Sequence, residues 1–301
     1  MSFTFSSLSQ GNPRGILSML GAILLFVSND ALIKLSSQHA SFAQAVFLRG
    51  LMVTALAFFL VLTQGHGRKL AILLQPKVLL RSSADLGATA FYVLALFHMP
   101  LGNLTSISMA SPLLMTAVAA ILLREQVGWR RWCAVGIGFC GVLLIVQPAS
   151  EGFNSWSLLA IGCMFCVMLR DLTTRFIGAA LPATLLVLGS CLIIMLVAGL
   201  LMLFEGWRAI SLHGVLLLAG SAFCLVGGYM LSVDCMRHGE LSVISPFRYT
   251  ALVWSLLFGY LIWNEVPNLV AAIGIAIVLA SGLYLIHRER IRVREAGATG
   301  K

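Results

Sequence analysis

Long apolar runs fill this chain of 301 residues, and its polar positions act as punctuation between them. A helix needs about 20 mostly apolar residues to cross a bilayer. On that criterion the sequence predicts ten spans, near 15–35, 42–63, 78–97, 103–123, 129–147, 155–175, 184–204, 213–235, 241–262 and 268–287. Turn chemistry separates them: Gly65-His66-Gly67, Met99-Pro100-Leu101-Gly102, Gln147-Pro148, Leu181-Pro182, His238-Gly239 and Val266-Pro267. The pattern therefore predicts an all-α integral membrane protein with ten transmembrane helices. No basic start followed by a short apolar core and a small-residue cleavage site opens the chain. Gly15 onward thus reads as a retained helix rather than a signal peptide.

Two stretches resemble each other. "FYVLALFHMPLGNLTSIS" (Phe91 to Ser108) aligns with "GYMLSVDCMRHGELSVIS" (Gly228 to Ser245), matching Tyr92 to Tyr229, Gly102 to Gly239, Leu104 to Leu241 and Ser108 to Ser245. A second pairing joins "NDALIK" (Asn29 to Lys34) to "RDLTTR" (Arg170 to Arg175), each with an acid four residues before a base. The chain divides near Ser150, with "SEGFN" as linker, into a first five-helix repeat over 1–150 and a second over 151–301. Five spans is an odd number, so the second repeat enters the membrane from the other side. The expectation is two inverted five-helix repeats, an arrangement that places a ligand site where the halves meet.

Basic residues fix a direction. One side collects Arg14; Arg68, Lys69, Lys77 and Arg81; Arg124, Arg130 and Arg131; Arg175; Arg237; and the tail's Arg288, Arg290, Arg292 and Arg294. The other side holds little beyond Lys34 and Arg208. This bias puts both termini in the cytoplasm of a multi-pass protein in the bacterial inner (plasma) membrane. Composition agrees: 59% of the residues are hydrophobic and 10% charged, with mean hydropathy +0.97, against about 25% charge in a soluble domain. The net charge of +9 then reads as contact with anionic headgroups and as topology, not as nucleic-acid binding.

A charge near the bilayer centre costs about 2.5–3.5 kcal/mol on insertion scales, so each one kept needs a partner or a task. Asp30, Lys34 and Arg49 lie in the outer parts of the first two spans and can meet there, Lys34 being one turn beyond Asp30. Asp171 and Arg175, with Asp85, Asp234 and Arg248, lie at inner depths of spans six, three, eight and nine. Asp30, Lys34, Arg49, Asp171 and Arg175 are candidate gate ion pairs. The competing reading is static, with buried pairs that fix helix register. Arg248, the base nearest a span centre, is a candidate substrate contact or else a structural partner of Asp85, Asp171 or Asp234.

Helical spacing adds to the candidates. Ser245, Arg248, Leu252, Ser255 and Gly259 share a face on span nine. Thr105, Ser108, Pro112 and Met115 do so on span four, and Asp85, Thr89 and Tyr92 on span three. Pro112 and Pro246 interrupt their helices. Trp254, on the same side as Phe247, either stacks a planar ligand or packs as an ordinary aromatic. The candidate substrate-binding set is Arg248, Asp85, Tyr92, Ser108, Ser245 and Trp254. Small residues on span five (Ala134, Gly138, Gly141) and span ten (Ala272, Ala276, Ala280) predict close packing within the subunit, with a homodimer face as the alternative. Glu125 and Glu265 close spans four and nine and read as structural, Glu265 favouring the helix start after Pro267.

The chemistry that is missing matters as well. Seven cysteines lie in or beside apolar runs, and the C-x-x-C of Cys163 and Cys166 falls inside a span, where small buried apolar residues are the simpler reading. The six histidines show no metal-ligand spacing, so no metal or cofactor is expected. There is no G-x-x-x-x-G-K-[ST] for ATP, no H-E-x-x-H and no G-x-S-x-G. A secondary transporter driven by a gradient fits better than a membrane enzyme or a non-transporting receptor subunit. Asp30, Asp85, Asp171 and Asp234 are its candidate proton carriers.

At these residues the chain resembles the EamA family of the drug/metabolite transporter superfamily over nearly its whole length. The likeness rests on the ten-span duplication, on "SPLLMTAVAAILLREQ" in span four, on "SPFRYTALVWSLLFGYLIWNE" in span nine, and on "SNDALIK" with "FLRG" in spans one and two. Span nine departs from the family's commoner proline-to-Glu spacing, having Tyr249 and Thr250 near the place that Pro112 takes in the first half. The Asn-Asp, Arg and Arg-Tyr pattern resembles a subgroup that includes importers of riboflavin and of S-adenosylmethionine. The resemblance implies a proton-linked or facilitated carrier of small organic solutes, with a central cavity between the halves and a planar nitrogen heterocycle as cargo; the expected working form is a monomer or homodimer. Export of amino acids or other metabolites is the alternative.

Overall fold

The computed structural model describes residues 6–122, 128–148, 154–177, 181–238 and 241–299. All regular elements among them are helical. In chain order they are α1 (Ser6–Ser36), α2 (Phe42–Thr63), a 3-10 segment (Gly67–Leu74), α3 (Pro76–His98), α4 (Leu101–Ser108), α5 (Ser111–Leu122) and α6 (Trp129–Val146). There follow α7 (Ser157–Ile177), α8 (Ala183–Glu205), α9 (Leu212–His238), α10 (Leu241–Ile244), a second 3-10 segment (Ser245–Tyr249), α11 (Thr250–Trp263) and α12 (Leu269–Thr299). Glu125, Gly239 and the expected linker up to Phe153 lie outside the described residues.

Nine stretches among the described residues are long and apolar enough to cross a membrane, against the ten expected. The exception is the expected span at 241–262. It is divided into α10, the 3-10 segment and α11. Pro246 has no N–H to donate, and the tighter turn takes over around it. The 14 residues of α11 rise about 21 Å, short of the ~30 Å hydrocarbon core. Span four breaks as well: α4 ends at Ser108 and α5 restarts at Ser111, ahead of Pro112. Both proline-marked spans are therefore interrupted, as their sequences lead one to expect.

The chain forms two compact units that do not follow the sequence halves. The first takes Met1–Val27, Pro100–Asn154 and Gly227–Lys301; the second takes Ser28–Met99 and Ser155–Val226. Within the first, α6 packs on α12 and α4 on α11. Within the second, α2 packs on α8 and α3 on α7. Each of these contacts joins a helix of the first half of the chain to one of the second.

Glycines set the closeness of several pairs. A Cβ on Gly274 of α12 would lie 2.7 Å from the Gly141 carbonyl oxygen of α6, which only glycine avoids. On α3, a Cβ at Gly87 would sit 2.9 Å from Cys166 Sγ of α7. The small residues of span five thus serve packing within the subunit. On span ten the close-packed residue is Gly274, while Ala276 and Ala280 are exposed. Cys163 is buried, and Cys166 fills space against α3.

Glu265 caps a helix other than the one expected. Its Oε2 accepts from the backbone N–H of Leu101 at 2.9 Å, satisfying the start of α4. At α12 that role falls to Asn268, whose Oδ1 accepts from Ala271 N–H at 2.8 Å.

Candidate functional site

The second unit carries two polar clusters among its apolar helices. In the first, Asp30 of α1 accepts hydrogen bonds from the Tyr92 hydroxyl of α3 at 2.7 Å and from Asn29 Nδ2 at 2.9 Å. Asn29 is 4% exposed. Its Oδ1 accepts from Ser221 of α9 at 2.7 Å and from Arg49 Nη1 of α2 at 3.3 Å. One amide therefore ties α1, α2 and α9 together, and Asp30 adds α3. Lys34, one turn further along α1, is buried and donates to the Met99 carbonyl at 2.9 Å.

The second cluster joins α3 to α7. Asp85 accepts from Arg170 Nη1 at 3.2 Å and has Arg81 Nη1 at 3.9 Å, with 16% of its side chain exposed. Arg170 also bonds Asp171 at 2.9 Å. Arg81 is held by Thr174 Oγ1, the Leu186 carbonyl and Ser190 Oγ at 2.8–3.0 Å, so its fork is locked by α7 and α8. The sequence pairs Asp171 with Arg175 by spacing. The contact recorded at Asp171 is to its neighbour Arg170, while Arg175 stands in the last turn of α7. Thr89, expected on the face of Asp85 and Tyr92, lines a cavity of about 300 Å³ with Phe42, Val46, Ser83 and Ile194.

In the first unit, Asp234 of α9 accepts from Arg14 Nη2 at 2.8 Å and from Ser18 Oγ at 2.7 Å. Arg248 lies on the 3-10 segment and is exposed. It makes no hydrogen bond or ion pair among the described residues, and Asp85, Asp171 and Asp234 hold other bases. The expected face of span nine is not uniformly buried. Leu252, Ser255 and Gly259 are buried, whereas Arg248, on the 3-10 segment that precedes them, is exposed. Ser108 Oγ and the Tyr249 hydroxyl are buried without a hydrogen-bond partner among the described residues. Ser245 is half-buried at the start of the 3-10 segment. Trp254 faces Phe258 at 6.3 Å between ring centroids, one turn along from it, rather than Phe247.

Sequence reasoning left Asn29, Arg81, Arg170, Ser221, Arg14 and Ser18 out of its site. Two of them carried a signal. Arg81 precedes Asp85 by four residues, and Arg170 adjoins Asp171. Among the described residues, no three His, Cys, Asp or Glu side chains gather as metal ligands.

Membrane-crossing helices with charges paired in their interior define a polytopic membrane transporter. The chain belongs to the EamA-like transporter family, which matches residues 13–147 and 154–287. It is 26% identical over 194 residues to an S-adenosylmethionine uptake transporter of Rickettsia conorii, covering 64% of this chain and 65% of that protein. It is 27% identical over 200 residues to a riboflavin transporter of Vibrio cholerae, covering 66% of each. A pseudopaline exporter, CntI, of Pseudomonas aeruginosa is 25% identical over 280 residues, covering 88% of this chain and 94% of that one. The chain thus spans about 65% of the length of the uptake transporters it matches. One solved crystal structure superposes with a TM-score of 0.63 at 23% identity, covering 89% of this chain and 95% of its own, a likeness of fold alone. The relatives are named as transporters, not as enzymes.

Proposed function

We propose that this protein is a secondary transporter that imports a small planar heterocycle of the riboflavin kind across the bacterial inner membrane by alternating access. The network of Asn29, Asp30, Arg49, Tyr92 and Ser221 carries this reading. It places a carboxylate, a guanidinium and an amide inside spans, where each charge costs about 2.5–3.5 kcal/mol to insert. Ionised, Asp30 accepts from Tyr92 and Asn29; protonated, it keeps an accepting oxygen and gains an O–H donor, so one hydrogen bond reverses or goes to a new partner by exchange. That exchange is the means by which a proton opens and closes a gate. The cluster of Asp85, Arg170 and Asp171, near Arg175, is the second gate. Arg248, with Ser108, Ser245 and Trp254 along the interrupted spans, meets the cargo. Two inverted five-helix repeats and cytoplasmic termini complete the arrangement.

Thermal stabilisation of the purified protein across flavins, nucleosides and aromatic amino acids tests the cargo. A ligand at 100 times its Kd adds about 2.7 kcal/mol of apparent stability. Riboflavin is expected to stabilise the protein, and a panel of heterocycles that shifts nothing would reject the class. Arg248→Ala is expected to abolish uptake into proteoliposomes while membrane insertion stays normal. Wild-type rates would remove Arg248 from the site. Export is the second reading, supported by the near full-length match to an exporter. Everted vesicles that accumulate the cargo faster than right-side-out ones would favour it.

A further inference from the structure

A groove of about 460 Å³ runs between the first half of α6 and the middle of α12. Trp129, Arg130, Cys133, Ile137, Ala280 and Tyr284 line it, with Ala134 and Ser281 at its floor. Its volume suits a small ligand, since such clefts measure ~300–1,000 Å³. Its wall is apolar except at one end. There Arg130 lies over the Trp129 ring, its guanidinium carbon 5.5 Å from the ring centroid. Trp129, Ile137 and Tyr284 are exposed. Indole and phenol rings favour the depth of lipid headgroups, where one end is apolar and the other wet.

We propose that this groove holds an anionic phospholipid, with its phosphate on Arg130 and one acyl chain laid along Ile137, Ala134 and Ala280. Two observations select that occupant. The polar end is cationic, so it complements a phosphate, and no acidic side chain among the lining residues balances the ammonium of a zwitterionic head. The remainder of the wall is methyl, thiol and ring surface, the chemistry of a hydrocarbon chain. The small residues that close α6 on α12, Gly141 and Gly274, face each other and lie outside the groove lining. The groove is built wholly from the first unit and does not depend on the cargo.

The test uses the full chain in phosphatidylcholine nanodiscs doped with phosphatidylglycerol carrying a photoactivatable acyl chain. Crosslinks are expected on the peptides holding Cys133 to Ile137 and Ala280 to Tyr284. Arg130→Gln is expected to reduce labelling roughly fivefold, the ratio that one basic residue at an anionic surface contributes. Ile137→Trp fills the apolar part and is expected to lower labelling while Arg130 remains. Equal labelling by photoactivatable phosphatidylcholine would overturn the proposal. So would labelling spread evenly over the lipid-facing helices. Native mass spectrometry that finds a stable dimer, with the groove peptides crosslinked between copies, would make a second subunit the occupant and overturn it too.

Discussion

Asn29 shows how one uncharged side chain organises charged ones. Its amide takes Ser221 and Arg49 on the oxygen and gives its N–H to Asp30. Asp30→Asn is expected to abolish pH-driven uptake while counterflow exchange survives, and equal loss of both in proteoliposomes would remove Asp30 from coupling. The second cluster separates two carboxylates by exposure. Asp171 is 51% exposed, so Asp171→Asn is expected to change stability by ~0–1 kcal/mol, the range of surface pairs. Arg170→Ala strips Asp85 of its nearer base and leaves Arg81 at 3.9 Å. It is expected to cost about 2 kcal/mol, below the ~3–5 kcal/mol of a fully buried pair because Arg170 keeps some solvent. Melting of both variants in detergent gives the comparison. The sequence made the acids visible, because a charge inside an apolar run stands out. It could not name their partners. Tyr92 lies 62 residues from Asp30, and periodicity gives a face of a helix without saying which helix it meets.

At the scale of elements, the spans were legible and their ends less so. Nine of the ten predicted runs appear as long apolar stretches among the described residues, because length and hydropathy are local properties. The breaks at Pro112 and Pro246 were also local. Their consequence for Arg248 was not: it sits exposed on a short 3-10 turn, while Leu252, which α-helical spacing places on its face, is buried. The same limit hid the target of Glu265, which caps α4 across 164 residues of sequence. Glu265→Ala is expected to lower stability by about 1 kcal/mol, the typical effect of losing an N-terminal cap. Glu265→Gln, which keeps an acceptor, is expected to recover most of it by thermal unfolding. A melt unchanged by the alanine would mean that the Leu101 amide finds another acceptor.

For the molecule as a whole, sequence repeats and packing units are different partitions. The family matches fall on 13–147 and 154–287. The compact units instead draw α2 with α8, α3 with α7 and α6 with α12, each from opposite halves. Residues 1–150 expressed alone are therefore expected to aggregate, and to give a monodisperse species only when residues 151–301 are supplied with them. Size-exclusion chromatography of the two fragments, apart and together, checks this.

The two interrupted spans carry a different kind of consequence. On an unbroken helix, a substitution that turns one side chain inward must be accommodated by every turn above and below it. At Met109–Ala110 and over Ser245–Tyr249 that regular ladder is already given up. A mutation there redirects a single group and leaves the flanking turns seated. Laboratory selection for a new cargo is thus expected to find its first successful changes at these two places.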